Sequence, residues 1–341
     1  MAPVLCAVLA QSYSLEVSTI EQADSGMMAA AYTASDAAGQ RWWLKVRPPI
    51  PGWPMCKEEI DAALRVTIEL RAHVRHARVV IPLLSEGGEP TVAYDEYLIS
   101  VYPYLDLRSI GHRTTWSDDL LKAVARAMAA IHSYKPTSPV PHVEDFALWP
   151  HESLPRGLAA LKALDSKKIR PGQRRAQEIV ARMERDLTML IDSYAKAQRR
   201  IDRRRQLALC HMDLTPNNLT LDTEGQIHIV DWDQLQIAPP EFDLRWLLSP
   251  GRYDVALDAY ESAGGSAGLD PLMFAFYFHR RCLAEELACN VAAILLADRT
   301  DQQDLDDISQ IESIAWAFDD GMQSWITEVE NGLAARRNGR S

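Results

Sequence analysis

The chain has 341 residues, 47% of them apolar and 24% charged, with a formal net charge of −11. That is the composition of a globular protein long enough to bury a sizeable core, with a length prior of two domains, and it argues against disorder. The negative balance argues equally against general adhesion to nucleic acid or to an anionic membrane.

The charge is unevenly spread. Residues 156–205 carry 15 Lys and Arg against 6 Asp and Glu, whereas residues 221–330 carry 5 against 22. An acidic half suits a cationic ligand, although solvated surface is the commoner use of such residues. Five cysteines without framework spacing, no secretory leader pattern and no apolar run of membrane-spanning length lead to the expectation of a cytoplasmic protein. No Cys/His group has the spacing of a structural zinc site.

In chain order, the first hundred residues read mostly as strands. "MMAAAYTAS" and "RWWLKVR" flank the turn "DAAGQ" and form a hairpin, with Trp43, Lys45 and Arg47 on one face and Trp42, Leu44 and Val46 on the other. "PPIPGWP" interrupts regular structure, and a helix is expected from about Lys57, on the spacing of Ile60, Ala63, Leu64, Thr67 and Ile68. "VVIPLL", "TVAYDEY" and "LISVYPY" read as three further strands. "DDLLKAVARAMAAIHSY" is an amphipathic helix with Leu120, Val124, Ala127, Met128 and Ile131 in its stripe. A Pro-rich connection, a polar helix within residues 173–205 and two long helices late in the chain complete an α+β reading. A strand-rich lobe over residues 1–103 connects near residues 99–105 to a helical lobe over residues 104–341.

The segment "HMDLTPNNLTLDTEGQIHIVDWD" (residues 211–233) carries the chemistry. Leu219 and Leu221, then Ile227 and Ile229, alternate with polar neighbours around the turn "DTEGQ", whose glycine can take the left-handed conformation of a tight hairpin. If Asp222 pairs with Gln226 or Ile227, Asn218 and Asp231 meet at the open end, roughly 5 Å apart if directly opposed. Such oxygen donors suit magnesium, which keeps waters and substrate phosphates in its remaining positions. Asp213 ends the loop entering the hairpin, beside the metal pair without being consumed by it, and Pro216 stiffens that loop.

This segment resembles the catalytic loop and metal-binding strand of the protein-kinase-like superfamily, in its branch of aminoglycoside and other small-molecule kinases. The branch pattern, His-x-Asp-x(4)-Asn with an Asp about a dozen residues on, is met by His211, Asp213, Asn218 and Asp231. The ending "IVDWD" is similar to that of spectinomycin-type phosphotransferases. The resemblance implies a bilobal fold, Asp213 as catalytic base, Asn218 and Asp231 as holders of Mg2+, and His211 as a brace for the loop. Met212 stands where the family usually has glycine, which requires the backbone there to stay in an ordinary allowed region.

By the same resemblance Lys45 neutralises the phosphates of ATP, and Glu59 is the best match for its acidic partner, with Glu58 and Glu69 as alternatives. The alternative is that these are ordinary surface charges. Ser25, Gly26 and Met27 occupy the position of the phosphate-covering loop, where a plain turn is an equal reading. Ser100, Val101 and Tyr102 lie in the connecting segment that binds adenine in the family, with Tyr102 or Tyr104 as an aromatic wall. Asp243 matches a family acid that steadies the catalytic loop, a role compatible with capping the following helix. Asp233 has three open readings: support of the metal site, a contact to a cationic substrate, or simple exposure.

The implied function is ATP-dependent O-phosphorylation of an aminoglycoside or aminocyclitol antibiotic of the spectinomycin kind. The alternatives are a metabolic kinase for homoserine, choline or a sugar, and a non-catalytic nucleotide-binding scaffold. A small and cationic substrate is expected, with neither nucleic acid nor membrane as partner. Asp254, Asp258, Glu285, Glu286 and Asp319 are candidate substrate contacts, and Trp246, Tyr253, Phe274, Phe278 and Trp316 candidate pocket walls, although aromatics at helical spacing are more often core.

Overall fold

The structure is a computed structural model that describes residues 1–341 apart from 24–28, 49–55, 112–114, 148–152, 166, 249–250, 298, 315–319 and 340–341. Two compact units are present: Met1–Val143 with Leu207–Ser249 and Val255–Ala267, and Glu144–Gln206 with Pro250–Asp254 and Gly268–Ser341.

The first unit contains an antiparallel sheet of five strands: β1 (Thr19–Ala23), β2 (Ala30–Ser35), β3 (Arg41–Arg47), β5 (Val92–Tyr94) and β6 (Tyr97–Pro103), in the order β1-β2-β3-β6-β5. The β2–β3 turn is set by Asp36, whose Oδ1 accepts from Ala38 N and Gln40 N, and by Gly39 at φ 85°. Trp42, Leu44 and Val46 pack with Leu5, Val8 and Leu9 of α1 (Ala2–Tyr13). This opening helix was not legible among the expected strands; it is short, largely apolar and lacks a sharp polar face. Helix α2 (Lys57–Leu70) starts where expected. "VVIPLL" supplies only the end of β4 (Arg78–Val79), because Pro82 has no N–H to give a ladder.

Helix α3 (Asp118–Ser133) is capped by Ser117, whose side chain accepts from Leu120 N, and it buries Leu121 in place of Leu120 along with the rest of the expected stripe. A second sheet, in the order β4-β10-β9-β7, consists of β7 (Arg108–Ser109), β9 (Leu219–Leu221), β10 (Ile227–Ile229) and β4. β8 (Ala208–Cys210) pairs with β11 (Gln236–Ala238), so the chain is clamped just before and just after the chemically dense segment. The short helix α6 (Glu241–Leu244) follows, and α7 (Tyr253–Ser262) lies almost wholly in this unit.

The second unit is helical, with α4 (Ser153–Ala163), α5 (Pro171–Arg200), α8 (Pro271–Arg280), α9 (Cys289–Ile294), α10 (Asp301–Ser313) and α11 (Asp320–Gly339). The first expected late helix is divided: a π-helical stretch, Arg281–Ala288, joins α8 to α9. Arg170 fastens the start of α5, donating to Asp304 and to the carbonyls of Ile294, Leu296 and Ala297. Among the described residues no helix is long and apolar enough to cross a membrane.

Candidate active site

The hairpin forms in the expected register, Ile227 opposite Leu221 and Ile229 opposite Leu219, with Asp222 N donating to Gln226 O at its tip. Val230 N donates to Asn218 O, which carries Asn218 to within one residue of Asp231 at the open end. The preceding loop closes on itself. Asn218 Nδ2 donates to both the carbonyl and the Oδ2 of Asp213, each at 2.7 Å, so one amide fixes the aspartate's backbone and carboxylate together.

His211 is fully buried, with its ring centroid 4.4 Å from that of Trp232. Its Nε2 donates to Val230 O at 2.9 Å, and its Nδ1 accepts from Asp213 N at 3.2 Å. That pattern assigns the neutral Nε2–H tautomer, and burial pushes the ring's pKa below its ordinary value. Behind the loop, Asp243 accepts from His211 N at 2.8 Å and Met212 N at 3.0 Å, and its Oδ2 lies 3.2 Å from His132 Nε2. His132 Nδ1 lies 2.8 Å from the Tyr260 hydroxyl. Burial alone would raise Asp243, but the His132 hydrogen bond and charge bring it below the usual carboxylate range.

Met212 departs from the expected ordinary backbone. Its φ is 71°, inside the left-handed region, because two consecutive N–H groups must both turn toward one carboxylate. The strain, of order 1–2 kcal/mol for a residue with a Cβ, is offset locally by those two bonds and by burial of the Met212 side chain.

Lys45 and Asp231 come together: Lys45 Nζ donates to Asp231 Oδ1 at 2.5 Å and lies 2.8 Å from Asp233 Oδ2. Arg47 grips Asp233 with two prongs, Nε to Oδ2 at 2.6 Å and Nη2 to Oδ1 at 2.7 Å, and Nη1 donates to Ser100 Oγ at 2.8 Å. Although burial works against the charges of Lys45, Arg47 and Asp233, Asp233 and Asp231 hold Lys45 above its ordinary pKa, while Arg47 and Lys45 hold Asp233 below its own. Asp231 also has a positive φ, 64°, which aspartate tolerates better than most residues.

The expected partnership of Lys45 with an acid of α2 is not formed. Glu59 sits in the first turn of α2 and its Oε2 accepts from Cys56 N at 3.0 Å, a capping-box contact, with His142 Nε2 3.5 Å from its other oxygen. Glu58, in the same turn, is exposed. Glu69 accepts from Thr137 N, Ser138 N and the Ser138 hydroxyl, and these bonds outweigh burial to bring its pKa down to about 2. Asp233 is buried, so of its three open readings simple exposure is removed.

Ser100 and Val101 lie within β6 opposite Lys45 and Leu44, and both are fully buried. The Ser100 hydroxyl serves Arg47, Val101 belongs to the apolar cluster under α1, and Val101 O accepts from Leu83 N. Tyr102 is half-buried, and the Tyr104 ring is covered by the Arg41 guanidinium at 3.6 Å. Ser25, Gly26, Met27, Trp316 and Asp319, and the side chains of Glu285 and Glu286, lie outside the described residues. Asp254 is paired with Arg336 at 2.6 Å, while Phe274 and Phe278 pack on Trp325 as core. Arg47 and His132 are site residues that the sequence reading does not find. For Arg47 the signal was available, since it shares a strand face with Lys45.

The donor set fits a hard cation. Asn218 spends its amide N–H groups on Asp213, which leaves its amide oxygen, and the Asp231 carboxylate is 40% exposed, within reach of solvent and ligand.

These elements have the arrangement of the protein-kinase-like phosphotransferases, and solved structures bear this out at the level of fold. A spectinomycin phosphotransferase solved with ADP and spectinomycin is similar with TM-score 0.70 at 16% identity, over 91% of this chain and 93% of that one. An amicoumacin kinase solved with AMP-PNP, Ca2+ and amicoumacin is similar with TM-score 0.58 at 15% identity, over 92% of each chain. A choline kinase from Streptococcus pneumoniae is similar with TM-score 0.51 at 16% identity, over 92% of this chain and 99% of that one. No curated protein matches in sequence. A family model, the phosphotransferase enzyme family, matches residues 19–275, and the chain belongs to that family.

Proposed function

We propose that this phosphotransferase is an ATP- and Mg2+-dependent kinase acting on a hydroxyl of an aminoglycoside or aminocyclitol, with inactivation of a spectinomycin-like antibiotic as its role. The observation that carries the reading is the tether of Asp213 by Asn218, one residue in register from Asp231, which itself contacts Lys45. In this reading the base comes from the loop before β9, the metal pair from the open end of the β9–β10 hairpin, and the phosphate-facing cation from β3. Residues 1–103 are assigned to nucleotide binding and residues 104–341 to catalysis and substrate binding. Ser25, Gly26, Met27, Ser100, Val101 and Tyr102 remain the assignment for nucleotide contacts, with Tyr102 the half-buried side chain among the last three.

In the proposed reaction the substrate oxygen attacks the terminal phosphorus of ATP, the bond to the bridging oxygen breaks, and ADP leaves. The hydroxyl proton passes to a carboxylate oxygen of Asp213 late in a loose transition state, so orientation matters more than base strength. Asn218 fixes that carboxylate, and His211, held neutral, braces the backbone beneath it. Lys45 offsets the charge of the phosphate oxygens. Asn218 and Asp231 would hold magnesium, which when bound neutralises and orients the phosphates.

A nucleotide-consumption panel tests the reading: spectinomycin, streptomycin, hygromycin, kanamycin, choline and homoserine, with mass analysis of any product. Turnover dependent on spectinomycin is expected. Turnover with choline or homoserine alone replaces the antibiotic assignment by the metabolic one, a reading kept because a choline kinase shares the fold.

A further inference from the structure

We infer that Asp233, anchored by the buried guanidinium of Arg47, is the residue that positions Lys45 for the nucleotide, in place of an acid from α2. The inference rests on the phosphotransfer reading and deepens it.

Lys45 has two acidic neighbours, and they differ in kind. The Asp231 side chain is 40% exposed and is the proposed metal ligand, so its contact with Lys45 must be exchangeable. The Asp233 side chain is 11% exposed, with each oxygen held by a separate nitrogen of Arg47. A fork-to-fork pair of this kind fixes direction as well as distance. Arg47 is itself 8% exposed and tied to Ser100, whose position in β6 is opposite Lys45 in β3. A closed circuit results: Lys45 to Asp233, Asp233 to Arg47, Arg47 to Ser100, and across the strand pair back to Lys45.

The acids of α2 are engaged away from Lys45: Asp61 is held by Lys57 and Thr91, and Glu58 is exposed in the first turn. Glu59 is committed to the helix start and Glu69 to Thr137 and Ser138. If Asp231 turns from Lys45 to a metal, Asp233 is the carboxylate that remains. It keeps the ammonium in place while a phosphate oxygen takes the vacated side. Asp233 is thus a positioning residue acting through Lys45, and this separates it from a merely structural tie between strands.

The test is the affinity of the full chain for MgADP, by calorimetry, together with the thermal midpoint. Asp233→Asn is expected to weaken binding tenfold or more, and Glu59→Gln to weaken it less. Because Asp233→Asn leaves Arg47 buried beside Lys45 without its carboxylate, the pair Arg47→Met with Asp233→Asn is also measured. It should regain much of the thermal midpoint and still bind tenfold more weakly than the parent. On a Lys45→Met background, Asp233→Asn should change affinity by less than twofold, since the residue it acts through is already gone. The inference is overturned if Asp233→Asn binds like the parent, if its full effect persists without Lys45, or if Glu59→Gln weakens binding as much. A parent chain that binds no magnesium nucleotide overturns the phosphotransfer reading and this inference with it; a parent that binds, with Asp233 indifferent, overturns this inference alone.

Discussion

Asp243 receives the backbone N–H of His211 at 2.8 Å and, on its other oxygen, the next N–H along the chain at 3.0 Å. A buried carboxylate thereby sets the direction of the loop that ends in Asp213. Replacing it with alanine leaves two buried N–H groups without an acceptor and removes the acid beside His132. A loss of about 3–5 kcal/mol is expected, seen as a lower urea midpoint at unchanged slope, with catalysis falling together with stability. A Asp243→Ala protein as stable as the parent would show that the loop holds its shape by other means.

Met212 gives an unusual ordering of substitutions. With φ at 71°, alanine there loses the buried side chain and keeps the backbone strain, whereas glycine loses the side chain and is relieved of the strain. Met212→Gly is therefore expected to be more stable than Met212→Ala by about 1 kcal/mol, although both fall below the parent. The reverse order in chemical denaturation would place this residue in an unstrained conformation.

Asp213→Asn keeps a side chain of similar size but removes the proton acceptor. Affinity for MgADP should stay within a factor of two, while the rate of phosphoryl transfer drops by about 10²–10⁴. Single-turnover measurements with saturating nucleotide separate the two effects, and an active variant removes this acid from the mechanism.

His279 supplies a pH prediction distant in sequence from the loop. It is buried on α8, its Nδ1 has no hydrogen-bond partner among the described residues, and burial pushes its pKa down to about 4. The unfolded chain, titrating near 6.5, then binds the proton more readily than the folded one. Its contribution is complete above about pH 6.5 and is lost as the pH falls toward 4, up to about 3 kcal/mol. Thermal midpoints measured from pH 7.5 to 4.5 should fall less steeply for His279→Gln than for the parent. Parallel curves would remove His279 as the cause.

The hairpin of the site was readable because two independent local signals agreed: a period-two alternation on both arms, and a polar turn containing Gly225 between them. Lys45 and Arg47 sharing a face followed from the same period. What they would touch did not follow. The partners of Lys45 lie 186 and 188 residues further on, and nothing local distinguishes Asp233 from a solvated acid. Glu59 was a sound candidate by type and position, yet a helix start competes for an acid three residues past its cap, and here the cap won. The conformation of Met212 is hidden from the sequence for a similar reason. Propensity disfavours a positive φ there, and only the distant Asp243 makes it affordable.

The pairing of β4 with β10 reaches beyond chemistry. Val79 lies in parallel register with Ile229, about 150 residues later, and β7 likewise waits for β9. During synthesis both edge segments emerge long before the ribbon that slots between them, so this small sheet is a late, high-contact-order event in folding. A fragment ending near residue 103 would contain β4 without its neighbour. Such a piece is expected to behave as an unfinished protein, prone to self-association through an unsatisfied strand edge.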